Sequence, residues 1–245
     1  MSKSEQGGKQ EVASMAWPLA VGMLSFTLMG LVDTLLMGHV STTAQAGVGL
    51  GASLTFACLA FFRGLTTGAQ SLVAAADGAG DCERRSRSAG AAVLTGALGG
   101  LLVLSCAAAV YESVLQTVVA DADVAASCTS YVGVRLWGLP LSLTSFGCLS
   151  ALQGIGDTKS RMWASLVGNI LNVGLDLVLI FGLGPVPAMG EAGAALATVA
   201  SAAVTCCIYM WRFRRLFGRP RLPGWSVLKS SLQLGFPSGC QSVLN

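Results

Sequence analysis

Asn169, Asn172 and Asp176 stand at i, i+3 and i+7 in the otherwise apolar run GNILNVGLDLVLIFGLG, residues 168–184. On a helix that spacing places all three on one face, as a polar stripe along an apolar rod. Asp33 and Thr198 are polar interruptions of two other apolar runs. Two carboxyls, a carboxamide and a hydroxyl are oxygen ligands for a hard cation such as Na+, or a proton trap with hydrogen-bonding support. An isolated ionised acid in hydrocarbon is too unfavourable to persist, so these carboxyls must be paired, protonated or wet. Separate satisfaction of each group on its own helix would account for any one of them, but less well for two acids.

The remaining chemistry-bearing residues point elsewhere. Five of the eight cysteines, Cys58, Cys106, Cys148, Cys206 and Cys207, sit inside apolar runs and no C-x-x-C pair exists, so they read as small packing residues. The single histidine, His39, falls at the end of the first run and reads as structural. The phrases GAGD (78–81) and GIGD (154–157) follow no strand, which excludes a dinucleotide fingerprint. They read as helix punctuation, with Gly ending one helix and Asp capping the next. Their recurrence suggests that the first three and last three spans are distant repeats. No nucleophile, base and orienting acid recur at enzyme-like spacing, so an enzyme is not expected, nor a cofactor.

The elements that must carry the polar residues follow from composition. The 245 residues are 53% hydrophobic and 11% charged, with mean hydropathy +0.67, more apolar surface than a soluble domain of this size buries. Predominantly apolar runs long enough to cross about 30 Å of hydrocarbon at about 1.5 Å per residue give six expected helical spans. They cover 15–37, 46–76, 89–111, 125–152, 162–181 and 193–211. Alternating barrel periodicity is absent, and the 31 glycines suit helices packed closely in lipid. The polar start MSKSEQGGKQE and the lack of a cleavage site imply that the first span is retained.

Lys and Arg cluster in the start, in the second-to-third and fourth-to-fifth connections, and after the sixth span. The alternate connections carry Glu112, Asp121, Asp123 and Glu191 instead, which places the amino terminus and the Arg-rich segment in the cytoplasm. The net charge of +3 is therefore a topology signal rather than a sign of nucleic-acid binding. With this orientation Asp33, Asp176 and Thr198 all lie roughly 6–12 Å below the outer end of their spans.

WPLAVGMLSFTLMGLVDTLLMGH, FFRGLTTGAQSLVAAADGAGD, LQGIGDTKS, GNILNVGLDLVLIFGLG and GAALATVAS, in that order, resemble the amino-terminal half of the multidrug and toxic compound extrusion (MATE) transporters. The Pro18 to Asp33 interval and the Asn172-x-x-x-Asp176 pair are similar to the prokaryotic DNA-damage-inducible protein F-like branch. The resemblance implies an all-α integral membrane fold, one six-helix bundle of a twelve-helix, two-lobe transporter, plus the start of a seventh helix. It implies a cation or proton site at Asp33, Asn172, Asp176 and Thr198, Na+ being one coupling ion for it, with Asn169 lining a cavity and Pro18 as a helix hinge. It also implies secondary active export of organic, often cationic or amphipathic compounds across the bacterial inner membrane in exchange for H+ or Na+.

The expected organisation is a cytoplasmic tail (1–14), the bundle (15–212), a basic cytoplasmic linker (213–228) and the start of a second bundle (229–245). LGFP around Pro237 echoes AWP around Pro18, and the chain reads as a fragment whose partner is the missing second bundle, or else a second copy. Its other partners are a small organic substrate and membrane lipid. Two alternatives remain open. A lipid-linked-precursor flippase of the same superfamily would favour a cationic cavity, for which Arg63 and Arg135 are candidates; a non-transporting scaffold or receptor would leave the buried acids unexplained.

Overall fold

The computed structural model describes residues 3–244, with side chains for residues 16–25 and 28–243. The described elements are helices: α1 (Lys3–Gly38), α2 (Thr42–Gly78), α3 (Cys82–Val118), α4 (Ala122–Leu136), α5 (Leu139–Gly154), α6 (Lys159–Phe181), α7 (Gly190–Phe217) and α8 (Trp225–Leu244). Among the described residues, five helices are long and apolar enough to cross a membrane, or six when the bent pair α4–α5 is taken as one span. Their outward faces carry large apolar side chains such as Leu24, Leu35, Leu102 and Ile170, as helices surrounded by hydrocarbon require.

The expected fourth span, 125–152, is not one helix. It breaks into α4 and α5, which meet at 53°. Pro140, near the start of α5, has no N–H to give the carbonyl of Leu136, and Gly138 is the N-cap of the new helix. The last turn of α4 tightens instead, with Gly138 N–H donating to Arg135 O at 3.0 Å. Helix ends also differ from expectation. The first helix already runs from Lys3, and the sixth span, α7, continues past Trp211 to Phe217, where Arg214 and Arg215 stand in the last turn against the negative end of the helix dipole. Arg215 stacks over Trp211 at 4.3 Å, and Gly218, at φ +77°, stops the helix.

Both glycine–aspartate phrases make the same turn. Gly80 and Gly156 are left-handed, at φ +70° and +78°. Asp81 N–H donates to Ala76 O and Asp157 N–H to Leu152 O, each at 3.0 Å, closing the preceding helix in the same way. The carboxylates then receive the first donors of the next helix, Asp81 from Arg84 N–H at 2.9 Å and Asp157 from Ser160 N–H at 3.1 Å. Asp157 also takes a 2.7 Å hydrogen bond from Arg212 Nε, which ties the end of α7 to the α5–α6 turn.

α2 is the central post, packed against α3, α4, α5 and α8, while α1 lies chiefly on α6 and α6 on α7. Two apolar clusters fill the bundle. One, around Met37, Val48, Tyr131, Leu136 and Ile180, lies toward the α1–α2 turn; the other, around Val73, Val93, Leu152 and Phe213, lies toward the glycine–aspartate turns. α8 docks on α2 backbone to backbone: a β-carbon at Gly64 would stand 2.5 Å from Gly239 N, and one at Gly68 would stand 2.5 Å from Gly235 N. Paired G-x-x-x-G spacings thus form the seam between the two helices.

Candidate cation site

The i, i+3, i+7 stripe of α6 is divided between two environments. Asn172 and Asp176 are wholly buried, at 0% exposure, where α6 meets its neighbours. α1 crosses α6, and Asp33 arrives on that face at 7% exposure. The Asp33 and Asp176 carboxyls are close enough that each influences the charge of the other. Neither oxygen of Asp176, nor Oδ1 of Asp33, nor either amide atom of Asn172 has a conventional hydrogen-bond partner in the protein. Buried polar atoms are ordinarily partnered, so five such atoms at one crossing are unusual. Two carboxylates brought together out of water require a proton or a metal cation between them. The groups gathered here, two carboxyls and a carboxamide, offer hard oxygens of the kind that suit a proton or an alkali cation.

Thr198 approaches from α7, 6% exposed, with its hydroxyl donating to Ala194 O at 3.0 Å. It and Asp33 border one cleft of about 320 Å³, between α1, α2, α4 and α7. Asp176 and Asn172 do not line that cleft. Asn169 stands apart from the acids. Its amide donates to the Ser25 carbonyl of α1, and its side chain lines a second cavity of about 120 Å³. The two spaces share Met29, Leu59, Arg135 and Thr198, so they adjoin. Pro18 is buried within α1, which remains helical on both sides of it.

Sequence reasoning passed over Tyr131 and considered Arg135 only as a candidate for holding pyrophosphate. Both are buried on α4 and border the Asp33 cleft. Tyr131 interacts with Arg135 and with Thr198, and the charge of Arg135 reaches Asp33. Their i, i+4 spacing one turn before the Gly138–Pro140 break was the available signal, because broken helices place polar groups at depth in transporters. Arg161 and Tyr209, which line the second cavity, were also missed.

Residues 18–178 match the family model described as MatE. The chain is 27% identical over 244 residues to "Multidrug resistance protein MdtK" of Yersinia pestis (strain Pestoides F), an alignment covering 93% of this chain and 52% of that protein. It superposes on a structure titled "Outward-facing conformation of a multidrug resistance MATE family transporter of the MOP superfamily" with TM-score 0.87 at 27% identity, covering 96% of this chain and 52% of that one. It superposes on "Crystal structure of MATE in the bent conformation" with TM-score 0.85 at 26% identity, covering 94% and 52%. The chain therefore spans about half the length of the curated relatives it matches.

Proposed function

The chain belongs to the MatE family, and on that premise we propose that it forms the amino-terminal lobe of a secondary antiporter that exports organic, often cationic or amphipathic compounds in exchange for H+ or Na+. The observation that carries the reading is the contact of two buried acids, Asp33 and Asp176, on helices that cross, with their oxygens short of partners. A group of this kind binds a cation only at the expense of water and releases it only when rewetted, which is what an exchange site must do. Thr198 completes the oxygen set from the third helix, and Asn172 stands one turn from Asp176. In this reading the amino terminus and the Arg-rich end of α7 face the cytoplasm of a bacterial inner membrane, as their basic residues suggest. The second lobe is supplied by a bundle that α8 begins.

Pro18 is the hinge through which cation binding is read out. Proline removes one hydrogen bond from α1, so this helix has a weak point about 22 Å from Asp33, at about 1.5 Å per residue. One charge moving down about 100 mV yields about 2.3 kcal/mol, enough to bias two conformers of α1 about fifty-fold.

The test is drug export by the complete gene product in inverted membrane vesicles, under imposed proton or sodium gradients, with ethidium as the reported cation. Asp176→Asn keeps the shape of the side chain and removes its exchangeable charge. Its export should fall to the passive leak while helix content and membrane insertion stay unchanged. Wild-type export by a well-folded Asp176→Asn protein overturns the assignment.

A further inference from the structure

We propose that the cavity between Arg135 and Arg161 is an anion-binding chamber, which takes the phosphate or carboxylate head of an amphipathic molecule. Both arginines are more than nine-tenths buried, at 7% and 9% exposure, and both line the same 120 Å³ space. Arginine keeps its charge even when desolvated, so each needs an anion or water. The described ion pairs involve Arg85, Arg87 and Arg212; among the described residues no carboxylate lies within ion-pairing distance of Arg135 or Arg161. Nη1 of Arg135 is fully buried without a hydrogen-bond partner. Asp33, which borders the adjoining cleft, feels the charge of Arg135, but it lies beyond ion-pairing distance and is shared with Asp176. Arg161 also feels the like charge of Arg63, which lies outside the lining of the chamber.

The stem of Arg161 is directed across the bundle. Its Cγ and Nε would stand 3.1 and 3.2 Å from a β-carbon at Gly22, so the absence of a side chain there admits the arginine between α6 and α1. A long cation one turn from a helix end would ordinarily run outward to the headgroups; this one borders the cavity instead. Ser142 and Tyr209 line the same space, and their hydroxyls add donors suited to an oxyanion. A single water needs about 10–15 Å³ of such space, so the chamber of about 120 Å³ has room for a phosphate or carboxylate. The remaining lining is largely apolar, with Leu59, Phe146 and Leu149, so the bound molecule has a hydrocarbon part that leaves by the open side.

This inference deepens the transport reading by adding an anionic or zwitterionic class of substrate, but the binding itself needs no ion gradient and is tested without one. The protein is reconstituted in phosphatidylcholine nanodiscs and titrated with decyl phosphate and with decyltrimethylammonium by calorimetry. Decyl phosphate should bind at least about tenfold more tightly, as a charge-assisted hydrogen bond implies. Equal binding, or the reverse order, overturns the chamber whatever the variants do. Arg135→Gln and Arg161→Gln should each weaken decyl phosphate by about tenfold or more. Arg161→Lys should recover most of the affinity, and Arg215→Gln, on the exposed end of α7, should leave it unchanged. If the Gln variants bind as wild type, or Arg215→Gln weakens binding equally, the anion is held at the interface and the proposal falls. Competition by phosphatidylglycerol in the discs would identify a lipid headgroup as the natural occupant, and competition by inorganic phosphate a soluble anion; either supports the chamber. A negative result leaves cation exchange at Asp33 and Asp176 standing, and export by Asp176→Asn would leave the chamber standing.

Discussion

Gly68→Ala tests whether α8 is held on α2 by backbone contact. The added β-carbon would lie 2.5 Å from Gly235 N and closer still to Ser231 O, whereas ordinary contact begins at 3.4 Å. The helices must therefore separate by at least 0.9 Å, the difference between those two distances, and the obstacle is backbone that cannot swing aside. A gap of that size forfeits about a quarter to a half of each dispersion contact along the seam. With overpacking at about 1–3 kcal/mol, a rigid obstacle belongs in the upper part of that range, about 2–3 kcal/mol. For a chain of this length that lowers the unfolding temperature by about 4–12 °C. Gly49→Ala is the matched control on the same helix: a β-carbon there meets nothing within 4 Å, and alanine favours the helix by about 1 kcal/mol. Both variants are followed by thermal unfolding of the detergent-solubilised protein. Gly68→Ala should melt well below wild type and Gly49→Ala at or slightly above it. Equal melting of the two would refute the seam, since the substitutions are chemically identical and differ only in what they meet.

Three further outcomes follow from the site and its supports. Burial pushes the Asp157 carboxyl up, but hydrogen bonds from Arg212 and Ser160 prevail and hold it below its ordinary 3.8. The stabilisation is therefore complete above 3.8 and lost as pH falls through the lower folded value, so the melting gap between wild type and Arg212→Gln should close below pH 3.8; a gap that persists in acid would show that Arg212 acts through packing alone. Asn172→Leu removes two buried amide atoms without partners and should melt no lower than wild type while losing ion-coupled export, as measured by fluorimetry and vesicle assay. Destabilisation without loss of export would make Asn172 a structural residue. Spin labels on α1 and α6 should report a distance change between acid and alkaline pH that disappears in Pro18→Ala, and an equal change in that variant would move the hinge elsewhere.

Much of the helical architecture was legible in the chain because it depends on local periodicity. The number of membrane-length segments, the polar face of α6 and the twin glycine–aspartate turns each need only a few adjacent residues. The Gly138–Pro140 break was equally local, yet it was masked by the uninterrupted hydropathy of 125–152; a proline without a donor weakens a helix without making it less apolar. Pairings between distant residues were not legible. Nothing in the spacing of α6 says that Asp33, 143 residues before Asp176 by their numbering, comes to face it, while Asn169 of the same stripe turns to the Ser25 carbonyl and a different cavity. Nor does local sequence say that Arg135, a candidate for a cationic cavity, shares a space with Arg161, which reads as a basic residue of a connection until Gly22 is seen to admit it. Helical periodicity decides which residues share a face. Which faces meet is decided by where two backbones can close to contact, as Gly64 and Gly68 do with Gly239 and Gly235, and that is a property of the packed bundle as a whole.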